Sequence, residues 1–364
     1  MTSADQSGPN YSDLAKLVLE RARTAREGVE LIGQLIGDYG YSTYGGNSHI
    51  IADPQEAWVL IECAGGQKLW VAERLGDNSI RASRPGYIGE IPTEPNADFL
   101  FPDHFIDFAI SQGWHAEGGR LNVNTVYGDG RGPWEGAGWI EAEMAARAEQ
   151  PGKITLEDVI WAIRTPKLTG DTAGYGQVVP LVHPTHPELR MLWHAPVGAV
   201  GAPLMPVFLG MAEIAEEYRQ HRYLTSGEHA RFMGMRHALR GQTDTVSIVP
   251  QGIEASRSAV AICKRLFYLA LRDPETSIPE LERIFVAHEA RLMRLAGSTQ
   301  KAASVLLDTG HADLAIEILT YFANSELGAG LRLVEQLADG LDVRTRTFGR
   351  FDTSLEPKSS PQVW

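Results

Sequence analysis

Residues 45–74 read GGNSHIIADPQEAWVLIECAGGQKLWVAER, and this stretch decides the fold class. It contains three short apolar segments, at 48–53, 57–63 and 68–74, which Asp53-Pro54 and Gly65-Gly66 separate. Segments rich in β-branched and aromatic residues and bounded by such turn residues are typical of strands. The pattern therefore predicts an antiparallel meander.

Two helices are predicted before the meander, because apolar residues recur there at helical spacing. The second begins with Thr24-x-x-Glu27. This is the pattern of a capping box, in which each side chain accepts a hydrogen bond from the other residue's backbone N–H. Gly37 and Gly40 are predicted to end this helix.

Beyond the meander, a Gly- and Pro-rich stretch runs from about 85 to 102, and the chain is mainly helical from about 150. Residues 178–210 are rich in Pro and His and are predicted to be irregular. A short helix is predicted at 105–112, capped by Asp103, and another begins at Thr155-x-x-Asp158. A third begins at Ser277-x-x-Glu280, with Pro279 in its first turn, and runs to about Gly297. Two more helices are predicted at 299–322 and 326–339. The predicted domains are a disordered lead-in at 1–10, a sheet-containing domain at 11–150, a mainly helical region at 151–344 and a tail at 345–364.

Charge and composition exclude several classes of partner. The 364 residues include 46 acidic and 33 basic side chains, which give a net charge of −13. A field of this sign repels polyanions, so we expect neither nucleic acid nor an anionic membrane as a partner. The polar start of the chain and the absence of a long apolar run predict a cytoplasmic protein.

The chain offers few candidate nucleophiles of its own. Cys63 ends an apolar strand, and no His lies beside it in the sequence to activate it, so we interpret it as a packing residue. Cys263 lies in a helical apolar stripe and is predicted to belong to the core. Thr2 or Ser3 could act only from a buried strand, which the polar sequence TSADQSGPN is not expected to form.

Three histidines invite a metal interpretation. His183 and His186 flank Pro-Thr, and His194 follows them. A zinc site on a helix uses two His residues at i and i+4 together with a carboxylate, whereas this pair has i, i+3 spacing across a proline. We therefore favour loop and packing histidines and expect no metal or other cofactor.

Several passages together resemble one family. They are LAKLVLERARTAREGVELIGQLIGDYG, GGNSHIIADPQEAWVLIE, LWVAERLGDNSI, IGEI, FIDFAISQGW and KITLEDVIWAIR, in that order along the chain. From about residue 11 to 295 the sequence resembles the cysteine dipeptidases of the N-terminal-nucleophile hydrolases, which are relatives of penicillin V acylases and acid ceramidases. The resemblance implies an α+β fold, an αββα sandwich with a mainly helical C-terminal part.

The resemblance also implies a missing segment. In the family, the mature chain begins with a catalytic Cys on the first strand, well before the helix that matches LERARTAREGVEL. Here that helix begins at about residue 12. We therefore expect an incomplete sandwich that a smaller, nucleophile-carrying partner chain completes, and no catalytic residue in this chain.

Four residues are candidates for substrate binding by the same resemblance. Asn47 falls where the family has a recurring Asn and could donate to an oxyanion, although a turn Asn is an equal alternative. Trp70 and Arg74 match the family's W-x-A-x-R strand, and Arg74 could hold a substrate carboxylate or form a structural ion pair with Glu62 or Glu73. Arg84 stands where the family commonly has an Asn.

Three hypotheses of function remain open from the sequence. The chain is a subunit of a heteromeric cysteine-type amidohydrolase that cleaves a small amide or a dipeptide. Alternatively, it is a non-catalytic binding or scaffold homologue of the dipeptidases. The third and weakest hypothesis is a self-sufficient enzyme that uses Cys63.

Overall fold

The computed structural model describes residues 7–43, 46–83, 86–149, 153–170, 173–182, 184–219 and 257–348. The chain divides into two compact units, Met1–Ile154 and Thr155–Trp364. Most of the predicted lead-in and tail lies outside the described residues. No described helix is both long and apolar enough to cross a membrane.

The first unit opens with the two predicted helices, α1 (Tyr11–Arg21) and α2 (Ala25–Tyr39). Thr24 caps α2 by accepting a hydrogen bond from the Glu27 N–H at 3.1 Å. The expected capping box is only half formed, because the Glu27 carboxylate accepts from the N–H of Arg23 instead, at 2.8 Å. Gly40 ends the helix with a φ of +89°, which an L side chain rarely adopts.

The predicted meander is confirmed as β1 (Asn47–Ala52), β2 (Ala57–Glu62) and β3 (Trp70–Arg74). The pairs are antiparallel, and a short strand β5 (Phe99–Leu100) joins β3, so the sheet order is β1-β2-β3-β5. The six-residue strand β1 therefore forms one edge of this sheet. Alternation along the strands separates its side chains into two faces.

Each face of the sheet packs against its own apolar layer. On one face, Trp58, Leu60 and Ala72 pack against α1 and α2. On the other face, Val59 and Val71 pack in a cluster of their own. The remaining elements of this unit are β4 (Glu90–Ile91), α3 (His104–Ser111), β6 (Leu121–Asn122), α4 (Val123–Tyr127) and α5 (Glu135–Glu149), with β4 paired to β6.

The α+β class is confirmed. The described residues of the first unit form one four-stranded sheet and one two-stranded pair. The finer expectation, an αββα sandwich that a partner completes, stays a prediction.

The second unit begins with α6 (Leu156–Arg164), which Thr155 and Asp158 cap reciprocally as predicted. The prediction of an irregular 178–210 is wrong, because this region contributes to a three-stranded antiparallel sheet. Its strands are β7 (Gly176–Val178), β8 (Met191–Ala195) and β9 (Met205–Phe208). The helices that follow are α7 (Glu216–Arg219), α8 (Ala259–Ala270), α9 (Pro274–Asp308) and α10 (Ala312–Phe348).

The predicted boundaries of the last helices are also wrong. Helix α9 begins at Pro274 rather than at Ser277, whose hydroxyl accepts a hydrogen bond from Arg344 at 2.9 Å instead of capping a helix. The predicted break after Gly297 is absent, because α9 continues to Asp308. The hydroxyls of Ser298 and Thr299 donate to carbonyls one turn earlier in the same helix. Gly310, with a φ of +79°, makes the turn between the two long helices.

A buried ion pair lies in the core of the second unit. Arg164 and Glu289 are each 2% exposed, and the guanidinium binds both oxygens of the carboxylate. The backbone completes the hydrogen bonding, since Arg164 donates to the carbonyl of Ala199 and the N–H of Leu204 donates to Glu289. This pair joins α6 to α9 through groups that are fully hydrogen-bonded.

Candidate active-site region

The predicted binding residues do not all lie together. Asn47, Glu62 and Trp70 occupy directly opposite positions on β1, β2 and β3 and form one row at an end of the sheet. Arg74 lies four residues further along β3, about 13 Å away at roughly 3.3 Å per residue. The sheet thus brings Asn47 and Trp70 to one end and Arg74 to the other.

Trp70 packs on the helical side of the sheet. Its ring lies so close to α2 that a Cβ added at Gly33 would be 2.2 Å from the ring carbon Cζ2. Trp70 also belongs to the apolar layer beneath α1 and α2. Its indole therefore has a packing role, and contact with a substrate stays a prediction.

Arg74 is surrounded by carboxylates. Its Nε lies 3.0 Å from Glu56 Oε2, and its two terminal nitrogens lie 3.7 Å from Asp77 and 3.6 Å from Asp98. The sequence predicted that a structural ion pair of Arg74 would be with Glu62 or Glu73, and this prediction is wrong. A role of Arg74 at a substrate carboxylate stays a prediction.

Arg84 lies outside the described residues, but the chain on both sides of it contacts β1. The hydroxyl of Ser48 lies 3.0 Å from the hydroxyl of Ser83 and accepts a hydrogen bond from the N–H of Gly86 at 2.7 Å. Because Ser48 follows Asn47 on β1, these contacts place Ser83 and Gly86 at the end of the sheet that carries Asn47.

The structure reveals a polar pair that sequence reasoning missed. His49 Nε2 lies 2.6 Å from Glu62 Oε1, and the Glu62 side chain is fully buried. The approach is close but not aligned as a hydrogen bond, and neither oxygen of Glu62 accepts one from any described residue. A buried carboxylate without a donor is costly. The available signal was alternation, which places Asn47, His49 and Glu62 on one face of two otherwise apolar strands.

Two hydroxyl groups extend this polar pair. Tyr41 is 2% exposed, and Thr43 is 8% exposed. Burial raises the pKa of the Tyr41 phenol, the negative charge of Glu62 raises it further, and a hydrogen bond with Thr43 opposes both effects. Tyr41 is therefore protonated at neutral pH. We call Tyr41, Thr43, His49 and Glu62 the polar cluster.

Cys63 lacks the properties of a nucleophile. Burial raises the pKa of its thiol to about 12, and the charge of Glu62 adds to the shift. The thiol is therefore protonated at pH 7, whereas the thiolate is the reactive form. Alternation also directs Cys63 to the face opposite Glu62 and His49, where it packs with the second apolar layer. No imidazole in the polar cluster can activate it.

The second unit shows no alternative centre among its described residues. Cys263 is 1% exposed, as predicted for a core residue, and burial raises the pKa of its thiol. His186 pairs with Asp308 at 2.7 Å, and burial lowers the pKa of His194. His183 lies outside the described residues. The described chain contains no group of three or more residues suited to hold a metal ion.

Comparison with known proteins points to one class of enzyme for the first unit. Residues 4–132 match the family model described as peptidase family C69. The first unit is similar to peptidase family C69. The matched residues include the two helices, the meander and the polar cluster, so the C69 similarity covers the region described above.

Individual relatives of known sequence agree with the C69 similarity. The chain is 45% identical over 74 residues to a probable dipeptidase B of Lactococcus lactis subsp. lactis, a match that covers 20% of this chain and 15% of that protein. It is 40% identical over 73 residues to a probable dipeptidase A of Streptococcus pyogenes, with the same coverage. A dipeptidase of Bifidobacterium longum is 35% identical over 82 residues, which are 22% of this chain and 14% of the relative. The chain thus matches about one-seventh of the length of these curated relatives.

Proposed function

We propose that this chain is one subunit of a heteromeric cysteine-type amidohydrolase. Its substrate would be a small amide or a dipeptide, and the nucleophilic Cys would be on a smaller partner chain. The similarity to peptidase family C69 and to three dipeptidases supports peptide-bond hydrolysis. The N-terminal-nucleophile mechanism rests on the resemblance of the sequence. The negative net charge supports a small-molecule substrate rather than nucleic acid or an anionic membrane.

The observation that carries the proposal is the state of Cys63. Hydrolysis by a cysteine peptidase requires a thiolate beside a base. Cys63 has a thiol pKa of about 12 and packs away from His49, and Cys263 is buried in the other unit. Neither thiol meets the requirement, so the proposal assigns the nucleophile to another polypeptide.

The second candidate is a non-catalytic binding or scaffold protein with the frame of a dipeptidase. The contacts of Trp70 and Arg74 favour it, because the first residue packs against Gly33 and the second is held by three carboxylates. Both candidate binding side chains then serve the fold.

Two measurements separate the candidates. The chain is tagged at its own locus and purified at native abundance, and co-purifying proteins are identified by mass spectrometry. The preparation and the isolated recombinant chain are then assayed with a panel of dipeptides. The amidohydrolase proposal predicts that a partner with an N-terminal Cys co-purifies in stoichiometric amount. It also predicts that the complex hydrolyses dipeptides and that the isolated chain does not. A chain that is monomeric in light scattering and melts cooperatively, with no partner and no hydrolysis, would contradict the amidohydrolase proposal and favour the scaffold alternative.

A further inference from the structure

We propose that the outer edge of β1 binds an extended segment of another polypeptide through the backbone of Ile50 and Ala52. The identity of that polypeptide as the nucleophile-carrying subunit rests on the function proposed above. The position of the docking edge does not, because it follows from the hydrogen bonding of the sheet.

The hydrogen-bond pattern shows which backbone groups face outward. The N–H of Asp53 donates to the carbonyl of Glu56 at 2.9 Å, so these two residues form a hydrogen-bonded pair at the end of the hairpin. Such pairs alternate along an antiparallel ladder. Ile51 and His49 therefore bond to β2, whereas Ile50 and Ala52 direct their N–H and C=O groups to the free edge.

No described residue bonds to the outward N–H groups of Ile50 and Ala52. Both residues are exposed, and 47% of Ile50 is accessible to solvent. Natural edge strands are usually protected by Pro, by Lys, by a bulge or by being very short. Strand β1 has six residues, NSHIIA, without Pro or Lys, whereas the opposite edge strand β5 has two. No described residue protects the outward backbone of Ile50 and Ala52, and such a stretch of edge is a site for strand addition.

The two faces of β1 define the chemistry of the occupant. An added strand places each of its side chains about 5 Å from the directly opposite residue of β1. On the helical face of the sheet, a side chain of the added strand would lie opposite His49, which is beside the buried Glu62 carboxylate that lacks an aligned donor. On the other face, the next side chain would lie opposite Ile50. The occupant is therefore an extended segment that alternates apolar side chains with side chains carrying an N–H or ammonium donor.

The charge of the chain favours the same occupant. The net charge is −13, and the polar cluster contributes one carboxylate that no described Lys or Arg contacts. A cationic side chain beside His49 is attracted by the Glu62 carboxylate, which lies 2.6 Å from the imidazole nitrogen. A strand with a Glu at that position would meet repulsion.

The test uses the full chain and a defined peptide, acetyl-Thr-Val-Lys-Val-Thr-Val-amide, as the probe. Hydrogen exchange of individual amides is measured by NMR with and without the peptide. We expect exchange at Ile50 and Ala52 to be fast in the free chain and to slow at least about tenfold with bound peptide. Exchange at Ile51, which already bonds to β2, should not change. Replacing the peptide Lys by Glu should weaken binding at least about fivefold.

A matched pair of variants isolates the backbone contact. Ile50→Pro deletes an outward N–H but no ladder bond, which edge strands tolerate, whereas Ile50→Val keeps that N–H. We expect Ile50→Pro to raise the Kd of the peptide at least about fivefold and Ile50→Val to change it by less than about twofold. If Ile50→Pro lowers the melting temperature, Ala52→Pro replaces it, because the outward N–H of Ala52 is equivalent.

Three results would overturn the inference. The first is slow exchange at Ile50 and Ala52 in the free, dilute chain. The second is protection that appears with increasing chain concentration alone, since it would mean that a second copy occupies the edge. The third is equal peptide binding by Ile50→Pro. Peptide docking with no dipeptide hydrolysis in any purified complex would instead refute the proposed function and leave the docking edge intact.

Discussion

The buried ion pair of the second unit gives the sharpest prediction of stability. Glu289→Ala leaves the Arg164 guanidinium in a site that is 2% exposed without its carboxylate, and it leaves the N–H of Leu204 without an acceptor. Removing one partner of a buried pair costs about 3–5 kcal/mol. For a unit of this size each kcal/mol lowers the melting temperature by about 2–4 °C. We therefore expect a decrease of about 6–20 °C.

The assay is thermal unfolding of the full chain followed by circular dichroism. The control is the double variant Arg164→Met with Glu289→Leu, which removes both charges and keeps most of the volume. It should be more stable than Glu289→Ala, because no charge remains buried without a partner. A loss of less than about 1 kcal/mol for Glu289→Ala, which is the magnitude of an exposed pair, would refute the reasoning. So would a double variant that is less stable than Glu289→Ala.

Three further substitutions test the first unit. Cys63→Ala should leave dipeptide hydrolysis by the complete enzyme within about tenfold, and a loss of more than about a hundredfold in kcat with the fold intact would make this chain the source of the nucleophile. Arg74→Ala removes the ion pair with Glu56 and should lower the melting temperature with KM unchanged; a raised KM at an unchanged melting temperature would place Arg74 at the substrate. Gly33→Ala drives a Cβ into the ring of Trp70 and should cost about 1–3 kcal/mol in chemical denaturation, whereas a neutral effect would mean that the ring moves freely.

Local chemistry predicted the first two helices and the meander of the first unit, but not the short strands β4 to β6 or the helix α5. Turn residues and apolar alternation were sufficient for the three strands of the meander, and Thr24 and Thr155 marked the starts of two helices because an N-cap depends on a few neighbouring residues. The same reasoning failed at Ser277, and the helix end predicted at about Gly297 was wrong as well. A hydroxyl can cap a helix, bond within it or serve a distant Arg, and tertiary contacts decide among these outcomes.

The polar cluster could not be predicted from spacing alone. His49 and Glu62 are 13 positions apart in the sequence, and they meet only because the register pairs Asn47 with Glu62. A shift of one residue in the register of β1 against β2 would turn His49 to the other face of the sheet. The contacts of Arg74 were missed for a related reason, since Asp98 directly precedes β5 and the pairing of β5 with β3 has no local signal.

Labelling of the active complex with iodoacetamide tests the central claim most directly. The complex is purified through a tag on this chain, treated until dipeptide hydrolysis is lost, and analysed by mass spectrometry to locate the modified Cys. We expect inactivation to follow modification of an N-terminal Cys on the partner chain, while Cys63 stays unmodified because burial raises its thiol pKa to about 12. Inactivation in parallel with stoichiometric modification of Cys63 would contradict this expectation.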